Sequence, residues 1–138
     1  MRFMMFIKVQ PGLYDAEQKP EDFERMGRYN DELEKAGALL ALDGLQPPSA
    51  GARIEFDGNG GTTVIDGPYT EAKEIIGGYW IIQTKTREEA IEWASRVPVN
   101  AGEVAVELRQ IFELTDFPEE VQAMFEDQSP PEQPSSTL

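Results

Sequence analysis

Between Arg2 and Val9 the apolar residues recur at every second position: Phe3, Met5, Ile7 and Val9 share one face, which predicts a strand. The other face carries Met4 and Phe6 before Lys8, so both faces are apolar. A polar stretch leads to "PEDFERMGRYNDELEKAG", where the period lengthens to that of a helix. Phe23, Met26, Asn30 and Leu33 follow it, Pro20 suits the first turn, Glu21, Asp22 and Glu24 favour the positive end of the dipole, and Gly37 stops it. "ALLALD" (38–43) predicts a second strand, which "GLQPPSAG" must end because Pro47 and Pro48 cannot extend a ladder. "ARIEFD" and "TTVID" flank "GNGG" and predict a hairpin with a glycine-rich turn. "YWIIQTK" (79–85) alternates as a strand that is again apolar on both faces. "TREEAIEWASRVP" predicts a helix capped by Thr86 and Glu89, with Ala90, Trp93 and Val97 inward. "EVAVELRQIFEL" (103–114) closes the set as a strand, with Val104, Val106 and Leu108 alternating against charges.

The long elements therefore run β-α-β, hairpin, β-α-β, which predicts an α+β, ferredoxin-like sandwich. Two helices cover one face of such a sheet. The apolar second face of strands 2–9 and 79–85 needs another cover, and a second copy of the chain is the simplest one, so a homodimer with facing sheets is expected. The domain is placed at 1–116, followed by a short acidic helical extension at 117–127 and a Pro/Ser-rich tail at 128–138 of disordered composition.

Composition narrows the chemistry. The 138 residues fit one domain and carry a formal charge of −14, with 26 acidic against 12 basic residues. That balance disfavours nucleic acid and anionic membranes, which are held by Lys and Arg. No apolar run is long enough for a signal peptide or a membrane span, and a cytoplasmic protein is expected. There is no cysteine and no histidine. Thiolate chemistry, a histidine base and His- or Cys-ligated metals are excluded, and neither a metal nor a cofactor is expected.

The acid–base candidates are then Asp, Glu, Lys and Tyr. Asp66 ends a β-branched run and precedes Gly67-Pro68. Held among Tyr69, Tyr79 and Trp80, its carboxyl could work as a general acid or base. Asp before Gly-Pro is equally ordinary turn chemistry, and both roles stay open. Lys73 and Arg53 are candidate anchors for an anionic ligand, against the reading of solvated charges. Gly77-Gly78 matches no phosphate-binding loop and reads as a flexible strand entry or a bulge. Tyr79 and Trp80 must face opposite sides of their strand.

"DGPYTEAKEIIGGYWI" (66–81) resembles the signature of the DGPF branch of the YCII-related family, with Tyr69 where that branch has phenylalanine. "GLQPP" with the following Arg53, and "EEAIEWASRVP", resemble the segments that flank the signature, so the likeness covers about residues 1–114. The resemblance implies a ferredoxin-like, dimeric, α/β-barrel-like assembly. In better-understood relatives a His–Asp pair is thought to sit in the cleft, and one relative is a dehydrochlorinase acting on a hydroxylated ring. A chain without histidine cannot form that pair. Asp66 matches the motif aspartate and is carried over as the catalytic candidate. Gln46, Arg53, Lys73 and Tyr79 are the binding candidates for a small molecule in a cleft near the motif. The alternative implied by the branch is a regulatory or accessory protein-binding module in an extracytoplasmic-function sigma-factor pathway.

Overall fold

A computed structural model describes residues 1–12, 19–67, 74–100 and 103–125. Among these residues six strands and three α-helices follow one another: β1 (Arg2–Val9), α1 (Pro20–Lys35), β2 (Leu39–Gly44), β3 (Ala52–Phe56), β4 (Thr62–Asp66), β5 (Ile75–Gln83), α2 (Arg87–Ser95), β6 (Glu103–Gln110) and α3 (Glu119–Phe125). Four strands form a sheet in the order β2-β5-β1-β6, with every neighbouring pair antiparallel. That is the ferredoxin-like α+β topology. β3 and β4 form a separate two-stranded ribbon with its apolar pair Ile54 and Val64 directly opposed.

α1 starts at Pro20 with Glu21 and Asp22 in its first turn. It ends on Gly37, whose φ of +71° is open to glycine at little cost. The Gly37 N–H donates to the Glu34 carbonyl and the Ala38 N–H to the Leu33 carbonyl, the paired bonds that close a helix on a left-handed residue. α2 begins at Thr86, whose hydroxyl oxygen accepts from the Glu89 N–H at 3.2 Å. The Glu89 side chain does not return to Thr86 but accepts from the Lys85 N–H. Both helices lie on one face of the sheet. Tyr29 and Leu33 of α1, Ala90 of α2 and Val97 beyond it are buried with Phe3, Met5, Ile7, Val9, Leu42, Trp80 and Ile82. Tyr29 ties the two helices together. Its hydroxyl donates to the Trp93 carbonyl at 2.7 Å, and its ring meets Trp80 and Trp93 edge-on.

Three details differ from the sequence reading. β5 begins at Ile75 rather than 79 because Ile75 and Ile76 pair with Val9 and Lys8. The register skips from Ile7–Gly78 to Lys8–Ile76, leaving Gly77 as the extra residue of a bulge. β6 stops at Gln110 rather than 114: β1 starts at Arg2, whose carbonyl takes the last cross-strand bond, from the Ile111 N–H at 2.9 Å. A second irregularity, between Lys8 and Val9, leaves Val104 exposed while Val106 and Leu108 pack inward. Among the described residues no helix is long and apolar enough to cross a membrane.

Candidate functional site

Tyr79 and Trp80 part as strand alternation requires. Trp80 faces α1, where its Nε1–H donates to Asn30 Oδ1 at 2.9 Å. Tyr79 lies opposite Phe6 on the other face, and its hydroxyl donates to Asp43 Oδ2 at 2.8 Å across β2 and β5. That hydrogen bond, with lesser help from burial and the Asp43 charge, holds the Tyr79 phenol above its usual range. Tyr79 therefore remains a donor at neutral pH.

Between α1 and the sheet lies a cavity of about 180 Å³. Its wall on the sheet side is Trp80, Ile7 and the backbone around Gly77 and Gly78; α1 contributes Phe23, Met26 and Asn30. Gly78 brings β5 against the end of β2, where a Cβ would stand 3.0 Å from the Asp43 carbonyl oxygen. Phe23, part of the apolar period of α1, is 64% exposed at the rim. The first residue of β6, Glu103, closes the far side. Its Oε2 accepts the Asn100 N–H at 2.6 Å. Burial pushes the Glu103 carboxyl up from its ordinary value, opposed by the Asn100 bond, reinforced by the Asp22 charge and opposed again by Arg25. Arg25 Nη2 bridges Asp22 Oδ1 at 3.1 Å and Asn100 Oδ1 at 2.5 Å, which fixes the start of α1 to the loop before β6.

On another part of the surface a wider groove of about 440 Å³ runs between β1, the start of β5 and the segment from Leu45 to Arg53. It brings Gln46 and Arg53 together with Lys8 and Glu74. Arg53 Nε is paired with Glu55 at 3.0 Å, and both side chains are about half exposed.

The five residues singled out from sequence are thus distributed over separate places. Gln46 and Arg53 share the groove. Tyr79 borders the cavity with its strand while its side chain leaves on the opposite face. Asp66 is exposed at the end of β4, opposite Ala52, and lines neither space. Lys73, with 68–72 of the signature, lies outside the described residues. The motif glycine has a structural reason of its own. The Gly67 N–H donates to the Gly51 carbonyl at 2.9 Å, and a Cβ there would stand 1.8 Å from the Pro48 carbonyl oxygen. The Pro48–Gly51 turn of "GLQPPSAG" and the Gly67 of the signature are therefore two halves of one junction.

The family model of the YCII-related domain matches residues 1–115. This chain belongs to the YCII-related family. No curated protein matches the chain. In this YCII-related domain the matched span holds all of the four-stranded sheet and every side chain of the cavity. Asp22, Phe23, Met26, Asn30, Asp43 and Asn100 are cavity residues to which the sequence reading assigned no part in binding, and Glu103 entered it only as a scattered carboxylate able in principle to hold a hard cation. Asn30 had a readable signal, an amide on the inward stripe between Met26 and Leu33. Glu103 had none, because its burial depends on α1, which is remote in sequence.

Proposed function

We propose that this YCII-related domain binds a small single-ring molecule in the cavity between α1 and the sheet, beside the glycines that end its DGPY-type signature. One observation carries the reading. A cavity of about 180 Å³ has an apolar, aromatic wall and a few polar groups converging on it, Asn30 and Glu103 foremost. An engineered apolar cavity of about 150 Å³ admits benzene, so this one has room for one substituted ring and not for a nucleotide. Glu103 is an acid–base group within reach of such a ligand, and Asn30 keeps its amide N–H groups for it while its oxygen is held by Trp80.

The reading extends to the DGPF branch and to a homodimer. The sheet face opposite the helices carries Met4, Phe6, Tyr79 and Ile81 in register across β1 and β5, with Glu107 and Arg109 beside them on β6. An apolar centre with opposite charges two residues apart along one strand suits a two-fold contact, in which each charge meets its opposite on the other copy.

Thermal unfolding with a panel of phenols and ring amines tests the ligand reading. A ligand at about a hundred times its Kd stabilises by about 2.7 kcal/mol, which raises the Tm of a domain of this size by several degrees. Phe23→Ala, at the exposed rim, should lower that shift without lowering the Tm of the free protein appreciably. A panel that leaves the Tm unmoved, or a Phe23→Ala protein that responds like the parent, would count against the cavity.

A further inference from the structure

The side chains around the cavity are unbalanced in charge. Two carboxylates, Asp22 and Glu103, reach its lining from the helix side and from β6, and no lysine or arginine among the described residues lines it. Asp43 also borders it, but its carboxylate is taken by the Tyr79 hydroxyl on the opposite face of the sheet. Asp22 is neutralised by Arg25, which sits behind the lining and is itself committed to Asp22 and Asn100. Glu103 is left as the charge without a cation bonded to it among the described residues, since its carboxylate accepts from the neutral Asn100 N–H. Across the cavity stand the Trp80 indole and the Phe23 ring.

An aromatic wall facing a carboxylate with no cation bonded to it is the surrounding that an ammonium ion favours. It gains the ring quadrupole on one side and a charge-assisted hydrogen bond on the other. An anion would meet Glu103 with nothing in the lining to offset it. The chain's net charge of −14 works in the same direction, by raising the local concentration of cations over anions.

Resting on the ligand reading above, we infer that the occupant of this cavity is a small organic cation: a single ring bearing a primary ammonium group, its ring against Trp80 and Met26 and its nitrogen donating to Glu103. Glu103 is then the residue that sets specificity, and Asn30 is free to donate to a hydroxyl elsewhere on the ring.

Isothermal titration of the full chain with benzylamine, benzyl alcohol and benzoate separates the cases, since the three share a ring and differ in charge. The expected order is benzylamine tighter than benzyl alcohol by about tenfold or more, the effect of one charge-assisted hydrogen bond, with benzoate weakest. Glu103→Gln keeps an acceptor for the Asn100 N–H. It should weaken benzylamine by about the same factor and benzyl alcohol much less, so that the two bind about alike. As a check independent of that variant, raising the salt concentration should weaken benzylamine and not benzyl alcohol. Benzyl alcohol or benzoate binding as tightly as benzylamine would overturn the cation assignment while leaving the cavity a ligand site. So would a benzylamine preference that survives in Glu103→Gln. Failure of all three to bind would overturn the assignment together with the reading it rests on.

Discussion

Glu103 is an acid held in an apolar setting, and its protonation links the cavity to stability. Burial raises its pKa, the Asn100 N–H opposes that, Asp22 adds to it and Arg25 opposes it again. The folded state therefore holds this proton more tightly than the unfolded chain does. The stability that results is fully present below the carboxyl's unfolded pKa and is lost as pH rises through the folded one. Glu103→Gln, neutral at every pH, escapes that loss. Its Tm should exceed that of the parent near neutral pH, with the gap narrowing on acidification toward about pH 4, the ordinary carboxylate range. Melting curves of both proteins across that interval check it, and a gap that does not change with pH contradicts it. Tyr79 shows the other use of a polar side chain here. Its hydrogen bond to Asp43 joins β2 to β5 and makes no demand on the cavity.

At the scale of elements, the signature works as a joint. Gly67 docks against the turn at Pro48–Ala50, and its bond to the Gly51 carbonyl extends the β3–β4 ladder by one rung at the base of the ribbon. A two-stranded ribbon is only marginally stable by itself, so close packing at its base matters to it. Gly67→Ala should destabilise by about 1–3 kcal/mol in urea unfolding, because backbone and not a flexible side chain must move. Gly27, inside α1, is the control: a methyl group there would have no neighbour within 4 Å, and Gly27→Ala should stabilise by about 0.5–1 kcal/mol. If both substitutions act alike, the joint is not what Gly67 serves. The elements themselves were legible in sequence, since alternation in β1 and the helical period of α1 and α2 are local patterns. The start of β5 was not, because Ile75 and Ile76 read as loop until Val9 and Lys8 are set beside them and Gly77 is taken up as a bulge. The cavity was less legible still. Asp22, Asn30, Trp80 and Glu103 lie on three elements, and only the sheet order β2-β5-β1-β6 with α1 across it brings them together.

At the scale of the whole molecule, the proposed assembly is a pair of these chains with facing sheets, each chain keeping its proposed ligand cavity on the helix side. A homodimer through the Met4, Phe6, Tyr79 and Ile81 face should scatter light with twice the mass of the 15.5 kDa chain. Placing a charge there with Ile81→Glu should return the mass to that of one chain. A parent protein of single-chain mass contradicts the facing-sheet assembly and leaves the cavity, on the other side of the sheet, untouched. The cavity has its own built-in control in the two tryptophans. Trp80 lines it, whereas Trp93 lies outside the lining with Arg96 stacked 4.1 Å from its ring centre. The most direct measurement is therefore a nuclear magnetic resonance titration that follows both indole N–H signals as benzylamine is added. The Trp80 signal should shift saturably and the Trp93 signal far less. Equal shifts of both, or none in Trp80, would contradict the claim that this cavity is where the protein holds its ligand.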